Sequence, residues 1–345
     1  MDLLRLKITR IDLAAGDAIL VYLEEADNRP VHYEAGQFFT FLIDHHGKEV
    51  RRSYSITSTP GVDENLSVII KRRVNGEISR YLIDHLKSGD VLTSLPPSGR
   101  FTLDIESSEE RTLFFIAAGS GISPIYSLIK KALFKEPQSR VVLICQNRDE
   151  TKIILKEDIE SLQHRFSSRF VNINLLSNPT GKKHFPRRLN NSLLERLISA
   201  HAGPSRFREF YICGPYPLMR MSRFVLRLMG FREEQIHKEH FVIDPLPPLP
   251  PLITDTSSKV IKLRWNDDRY VFEVSYPMNI LQGALNHGIR LPYSCRGGRC
   301  STCIARCVMG KVIMSLNEVL TDKNLQEGLV LTCVGYAETD LELEL

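Results

Sequence analysis

Four cysteines carry the strongest chemical signal in the chain. Cys295, Cys300 and Cys303 are spaced C-x4-C-x2-C, and Cys333 follows after 29 intervening residues. A two-iron, two-sulfide cluster takes four thiolates, two on each iron. This spacing lets one loop supply three while a distant segment supplies the fourth. Zinc sites favour two paired knuckles with short internal spacing, so a triplet with one remote partner favours a cluster over zinc. Gly297 and Gly298 lie inside the loop, where backbone N–H groups must approach the sulfurs and a Cβ would obstruct them. Arg296 and Arg299 put positive charge beside an anionic cluster. Cys307 lies outside the spacing and reads as a buried small residue. Cys145 falls in a core strand, where an inert role is expected.

Two further groups of residues suit organic cofactors. Arg52-Ser53-Tyr54-Ser55 sits on a predicted strand whose alternation puts Arg52 and Tyr54 on one face. A flavin needs a cation at its phosphate, an aromatic surface at its ring and a small donor near N5; Arg52, Tyr54 and Ser55 can supply these in turn. Lys71-Arg72-Arg73 and then Gly76-Glu77-Ile78-Ser79 lead into a helix. There Gly76 permits a tight approach, and Ser79 with the helix N-terminus offers N–H groups to a diphosphate. Gly119-Ser120-Gly121-Ile122-Ser123-Pro124 joins a strand to a helix, where phosphate-binding loops belong. Pro124 replaces the third glycine of the usual fingerprint and suits a first helical position. Cys213-Gly214-Pro215 again follows a strand and precedes a helix, so Cys213 could border a nicotinamide. A plain turn is the competing reading of each of these two loops taken alone. No Ser-His-Asp arrangement is indicated, and the ten histidines follow no zinc-like spacing.

These groups need scaffolds, and the periodicity changes twice along the 345 residues. Residues 1–105 show short alternating runs at 4–8, 18–23, 37–43, 50–57 and 66–71, with one helical patch at 79–86, the pattern of an antiparallel barrel. Residues 106–243 alternate strands (112–117, 141–146, 170–176, 210–213) with helices (124–134, 156–166, 192–200, 218–229), which implies a parallel sheet with crossover helices. Residues 244–257 hold five prolines in seven positions and read as a stiff polyproline spacer. Residues 258–345 open with a hairpin (259–265 and 269–275), then a helix over 279–287 with Asn279 as its N-cap and Gly288 just past its end.

Composition narrows the class. The chain is 43% hydrophobic and 25% charged, which suits a soluble protein with real cores. No apolar run approaches ~18 residues, so no membrane insertion is expected. The opening MDLLRLKITRID interrupts every apolar run with charge, unlike a signal or transit peptide. A dispersed net charge of +4 gives no footprint for nucleic acid. Seven cysteines, five of them between 295 and 333, suit a local cluster in a reducing cytoplasm rather than a disulfide framework.

Taken in order, Arg52–Ser55, Gly76–Ser79, Pro97-Ser98-Gly99-Arg100-Phe101, Gly119–Pro124, Cys213–Pro215 and the four cysteines resemble the ferredoxin–NADP reductase superfamily with a C-terminal plant-type ferredoxin domain. The resemblance covers nearly the whole chain. It implies a multidomain architecture: a six-stranded antiparallel β-barrel for the flavin at 1–105, an α/β parallel-sheet NAD(P) domain at 106–243, the proline-rich linker at 244–257, and an α+β β-grasp ferredoxin domain at 258–345. The implied cofactors are FAD, which the G-x-x-S element favours over FMN, a 2Fe–2S cluster, and NADPH or NADH. Arg148 and the basic segment 182–188 suit a 2′-phosphate, whereas Ser177-Asn178 stands where NADP-preferring relatives carry a serine–arginine pair. The family also implies that Glu239 or Phe241 lies near the flavin ring.

The activity that the resemblance implies is NAD(P)H:acceptor oxidoreduction. Hydride brings two electrons, a 2Fe–2S centre accepts one, and a flavin between them resolves the mismatch. Ser55, Tyr54 and Cys213 would then position the reacting rings. The implied partner is an oxygenase component of the phenylacetyl-CoA epoxidase kind. Alternatives are a Rieske dioxygenase, a hybrid-cluster protein or a membrane desaturase as acceptor, or a redox sensor without turnover. Ten Lys/Arg and ten Asp/Glu leave residues 258–345 neutral, so tethering rather than charge would bring this domain to its flavin.

Overall fold

The computed structural model describes residues 3–27, 29–105, 110–181, 186–241, 248–265 and 267–345. The N-terminal part forms β1 (Leu4–Ala15), β2 (Ala18–Glu25), β3 (Phe38–His45), β4 (Lys48–Ser55), β5 (Leu66–Lys71), α1 (Glu77–His85) and β6 (Val91–Ser98). The six strands make one antiparallel sheet in the order β4-β3-β6-β1-β2-β5. Its two edges meet: Ile56, just past β4, bridges Val68 in β5, and the Thr57 N–H donates to the Ser67 carbonyl at 2.7 Å. The sheet is thus closed into a barrel, and closure removes its exposed edges. Leu6, Phe39, Phe41 and Val68 fill the inside, and α1 adds Ile78 and Leu82 to the same core. The alternation did not reveal β6, because Pro96-Pro97 reads as a break. The prolines lie beyond the β1 pairing, which runs from Leu4↔Ser94 to Lys7↔Val91, so they remove no bond from it.

The next part forms β7 (Arg111–Ala118), α2 (Ile122–Lys135), β8 (Arg140–Asn147), α3 (Lys156–Arg165), β9 (Phe170–Leu176), α4 (Asn191–Ala200), β10 (Phe207–Cys213), α5 (Tyr216–Leu228) and β11 (Ile236–Glu239). The sheet is parallel, in the order β11-β10-β7-β8-β9. Apolar clusters cover both faces, which is why β7 reads as a nearly continuous hydrophobic run. From β7 the chain builds outward to β8 and β9, then returns to the other side for β10 and β11. The strand order therefore reverses between β7 and β10, the place where α/β sheets open a crevice at their carboxyl ends.

Barrel and parallel sheet join through α2. The Ser127 hydroxyl donates to the Ser58 carbonyl (2.6 Å), the Thr59 hydroxyl donates to the Ser127 carbonyl (2.9 Å), and the Lys130 ammonium pairs with Asp63. Contacts divide the chain into two units: Leu3–Pro97 with Phe101–Val242, and Ser98–Arg100 with Ile243–Leu345.

In the second unit, residues 248–257 carry neither helix nor strand; the prolines at 245 and 247 lie outside the described residues. Then come β12 (Lys259–Trp265), β13 (Asp268–Val274), α6 (Ile280–Asn286), β14 (Ile304–Met309), β15 (Val312–Met314), α7 (Asp322–Gln326), β16 (Leu329–Leu331), β17 (Gly335–Ala337) and β18 (Leu341–Glu344). A mixed sheet runs β13-β12-β18-β14-β16 with β12 and β18 parallel, and β15 pairs with β17. α6 buries Ile280, Leu281 and Ala284 in one core with Ile261, Leu263 and Phe272 of the sheet. Asn279 caps α6 by accepting from the Gln282 N–H at 2.8 Å, and Gly288 follows its end at φ +77°, as the sequence suggested.

Candidate functional site

The switch point brings two loops together. After β7, Gly119–Gly121 forms one 3-10 turn and α2 begins at Ile122. Pro124 is therefore the third helical residue rather than the first. The opening N–H groups of a helix have no intrahelical acceptor, so a proline there breaks no bond. Ser123 and Pro124 are both buried. A Cβ on Gly121 would stand 2.1 Å from the Cys213 carbonyl oxygen, so the loop after β7 rests backbone to backbone on the loop after β10. Gly214 is less tight, its Cβ position lying 3.0 Å from Leu218 Cδ2 and 3.2 Å from Ala118 Cβ. Pro215 is the N-cap of α5. Glu239, at the end of β11, pairs in register with Cys213 and is 8% exposed. Cys213 itself is fully buried; burial pushes its thiol well up, and the Glu239 carboxylate adds to this. Phe241 packs, partly buried, against the same core.

The barrel reaches this crevice. Lys71, the last residue of β5, places its Nζ 3.3 Å from where a Gly119 Cβ would stand. On β4, Ser55, Tyr54 and Arg52 pair with Phe38, Phe39 and Phe41. The half-buried Tyr54 ring lies 5.8 Å from that of Phe41, and burial pushes its phenol up to about 12. Ser55 is buried, Ser53 shares a hydrogen bond with the Thr40 hydroxyl at 2.9 Å, and Arg52 is exposed. Ahead of α1, Ser79 Oγ accepts from the Arg73 N–H (3.2 Å) and donates to the Gly76 carbonyl (3.1 Å). A Cβ on Gly76 would meet Ser79 Oγ at 2.6 Å and Arg73 Cβ at 2.7 Å. Gly76 thus serves the loop's own closure. The Ile78 side chain is in the barrel core. Only its backbone is left to serve a diphosphate.

Just past the carboxyl end of β8 Arg148 is exposed, and its carbonyl accepts from the Asn178 N–H at 2.7 Å. Nearby, the Glu150 carboxylate accepts from the Thr180 N–H and hydroxyl, both at 2.9 Å, and from the Gly181 N–H at 3.1 Å. These bonds, led by the Thr180 N–H, bring its pKa down to about 2. Arg187 and Arg188 are exposed, while Lys182 and Lys183 lie outside the described residues.

The cysteine loop turns through three left-handed residues: Arg296, Gly298 and Ser301, at φ +53°, +71° and +56°. The N–H groups of Gly297 and Arg299 donate to Cys295 Sγ, and the Cys295 N–H donates to Cys300 Sγ, all at 3.4 Å. Cys333 is registered against the loop by its neighbour: the Thr332 N–H and hydroxyl both donate to the Cys303 carbonyl, at 3.0 and 3.1 Å. Hydrogen bonds from Cys300, then Cys333, push the Cys295 thiol down, and one from Cys333 lowers that of Cys303, so each of the four has a sulfur partner in the set. Cys295, Cys303 and Cys333 are buried and Cys300 is half-buried. Soft thiolate donors, backbone N–H groups aimed at sulfur and a mostly buried setting fit an anionic iron–sulfur cluster.

Further details of the loop and of the other cysteines bear on the sequence reading. Gly298 is required, since a Cβ there would stand 2.6 Å from the Leu316 carbonyl oxygen. At Gly297 a Cβ would meet its nearest protein atom, the Cys295 carbonyl oxygen, at 3.7 Å. The Arg299 charge is taken up by Glu318 at 3.1 Å, and the Arg296 guanidinium lies over the Tyr293 ring at 4.3 Å. Cys307 is half-exposed on β14, whereas Cys145 is buried as expected.

Residues 6–103 match the oxidoreductase FAD-binding domain, 115–223 the oxidoreductase NAD-binding domain and 263–338 the 2Fe-2S iron-sulfur cluster binding domain. The chain is 32% identical over 325 residues to the ferredoxin reductase component of 3-ketosteroid-9-alpha-monooxygenase from Mycobacterium tuberculosis, covering 92% of this chain and 86% of that protein. It is 29% identical over 346 residues to one of the subunits of 1,2-phenylacetyl-CoA epoxidase from Escherichia coli, covering 95% and 93%. The fold is shared with phthalate dioxygenase reductase at a TM-score of 0.61 and 23% identity, over 99% of this chain and 98% of that one. An intact type IV self-sufficient cytochrome P450 monooxygenase aligns at a TM-score of 0.74 and 19% identity over 99% of this chain, which spans 41% of that longer one. FAD, a nicotinamide dinucleotide and a 2Fe–2S cluster are accordingly the cofactors of the three domains. The barrel, the crevice and the thiolate cradle follow one another as in these relatives, and the chain belongs to the family of FAD- and NAD-binding ferredoxin reductases with a C-terminal 2Fe–2S domain.

Proposed function

We propose that this oxidoreductase is the reductase component of an oxygenase system, and that it passes electrons from NAD(P)H to a separate oxygenase of the phenylacetyl-CoA epoxidase kind. FAD, when bound, supplies the conversion between a two-electron donor and the one-electron 2Fe–2S cluster. The observation that carries this reading is the approach of Lys71 in the barrel to the Gly119 turn of the nucleotide sheet, which puts the barrel and the nucleotide crevice side by side. Near-end-to-end alignment with the Escherichia coli epoxidase component supports the choice of acceptor.

The residue roles belong to the same proposal. Arg52 and the backbone N–H groups at Ile78 and Ser79 hold the flavin phosphates, with Ser53 supporting the strand through Thr40. Tyr54 packs on the ring and Ser55 donates near N5. Lys71, Gly119, Gly121 and the first turn of α2 at Ser123-Pro124 take the dinucleotide phosphates. Cys213, Gly214 and Pro215 shape the nicotinamide pocket. Because the Cys213 thiol is held neutral, it adds bulk without charge beside the reacting ring. Glu239 and Phe241 close the crevice from β11. The thiolates of Cys295, Cys300, Cys303 and Cys333 hold the cluster. Arg148 meets the ribose end and favours NADPH, while three of the acceptor positions of the Glu150 carboxylate are taken by Thr180 and Gly181. No described helix is long and apolar enough to cross a membrane. A cytoplasmic setting suits a cluster that depends on free thiolates.

Anaerobic stopped-flow mixing with NADPH tests the order of transfer. The flavin band is expected to bleach first and the cluster band to follow, with both returning when the oxygenase is added. Bleaching of the flavin with a cluster that stays oxidised would refute the internal relay.

A further inference from the structure

One cluster of metal-ligating groups on the barrel uses no cysteine. β3 ends at His45, which pairs with Lys48 across the two-residue turn His46-Gly47. Both turn residues are left-handed, at φ +55° and +72°, the geometry that an asparagine–glycine pair favours. That step cancels the alternation that sends neighbouring strand residues to opposite faces. The two imidazoles therefore lie side by side, with ring centroids 4.3 Å apart. Glu77, the first residue of α1, comes to the same place, its Oε1 2.9 Å from His45 Nε2. One nitrogen from each histidine and one Glu77 oxygen all lie within 4.8 Å of one another.

The neighbouring groups are otherwise engaged. Asp44 Oδ1 accepts from the Gly47 N–H at 3.0 Å. The Tyr81 ring stands edge-on to His45 at 4.9 Å and stacks on His85 at 4.6 Å. The His45 side chain is packed to 11% exposure, whereas that of Glu77 is 73% exposed and free to move. The hydrogen bond between His45 and Glu77 accounts for two members of the group but not for His46. The turn asks for a left-handed residue there, not for an imidazole.

Two imidazoles and one carboxylate with an open side form a donor set that zinc takes. Bonds of ~2.0–2.2 Å around a tetrahedral ion set donor atoms roughly 3.5 Å apart. Starting from separations of at most 4.8 Å, the three donors must adjust by no more than about 1.3 Å, which rotation of the exposed Glu77 and His46 side chains allows.

We propose that His45, His46 and Glu77 form a second metal site, for a zinc-type divalent cation, and that the bound ion clasps the β3–β4 turn to the start of α1. The site does not depend on the electron relay, so the two readings fail separately.

The test uses the full-length holoprotein in a Cys307→Ser background, which removes the half-exposed thiol. Calorimetric titration with Zn2+ alone is expected to give one site per chain with a micromolar dissociation constant. His46→Asn, which keeps the turn, and Glu77→Gln should each weaken it at least tenfold. His46→Asn should retain flavin and cluster absorbance and, in zinc-free buffer, the cytochrome c reductase rate. Zinc should raise the thermal midpoint of the parent and leave that of His46→Asn unmoved. No binding to the parent, or equal affinity in the parent and in either folded variant, overturns the proposal. Flavin absorbance reports folding, so a variant that fails leaves the decision to the other.

Discussion

Replacing Gly121 with alanine asks whether the two loops at the switch point form the nucleotide site. The added Cβ would stand 2.1 Å from the Cys213 carbonyl oxygen and 2.5 Å from its carbon. Ordinary contact begins at 3.4 Å, so the loops must part by about 1.3 Å, the difference between 3.4 and 2.1. Both sides of the contact are backbone, so no side chain can swing away. One side is the last residue of β10, inside the sheet; the other opens α2, which Ser127 and Lys130 tie to the barrel. The shift therefore falls on the loops that would align the nicotinamide. An ångström of misplacement costs on the order of 100-fold in a step that needs near-attack geometry. That is about 2.7 kcal/mol of barrier. Anaerobic stopped flow should show flavin reduction by NAD(P)H slowed by about that factor, with flavin content and reduction by dithionite unchanged. A rate within threefold of the parent at an unchanged thermal midpoint would refute the reasoning.

Cys333→Ser removes the fourth thiolate and should abolish the cluster's absorbance and paramagnetic signal. Flavin reduction by NAD(P)H should persist, because barrel and nucleotide sheet form a unit of their own. Asp63→Ala leaves the Lys130 ammonium, only 5% exposed, without its partner, and should cost ~3–5 kcal/mol in denaturant unfolding. Adding Lys130→Met should recover most of that loss; no recovery would show that the charge is not its cause. Burial pushes the Tyr33 and Tyr54 phenols up to about 12, whereas an unfolded chain ionises near 10. The folded state then holds more protons between those values, so stability is full below pH ~10 and falls as pH rises toward 12. Tyr54→Phe should flatten that slope in pH-dependent unfolding, and an unaltered slope would count against it. Arg148→Ala should raise KM for NADPH by about tenfold, near 1.4 kcal/mol, and leave NADH unaffected. Equal effects on both dinucleotides would remove Arg148 from the 2′-phosphate.

Elements whose signal is local were legible in the sequence. The helix expected at 156–166 spans Lys156–Arg165, because its burial repeats within one element. The turns after β7 and β10 were legible for a related reason: glycine, serine and proline after a strand describe backbone geometry, which the residue types restrict directly. β11 had no such signal. Its four residues Ile-His-Lys-Glu alternate charge, and only pairing with β10 makes them a strand. The cysteine spacing located the cradle but not its electrostatics. Arg299 reads as free charge until the fold brings Glu318 to it from 19 residues away. Gly297 and Gly298 are indistinguishable in sequence, and only the fold sets the Leu316 carbonyl against a Cβ at Gly298.

The contacts that join the halves of the first unit follow from register rather than from motif. β5 pairs with β2 so that Lys71 faces Ala18, and closure of the barrel through Ile56 and Val68 holds that alignment. A slip of one residue along β5 would turn Lys71 to the opposite face and put an isoleucine toward the Gly119 turn. Every motif would survive such a slip, yet the cation between flavin strand and dinucleotide loop would be lost. Barrel closure therefore belongs to the proposed flavin site as much as Arg52–Ser55 does. Mutations at the inert-looking Ile56 or Val68 should slow flavin reduction by NAD(P)H before they release the flavin.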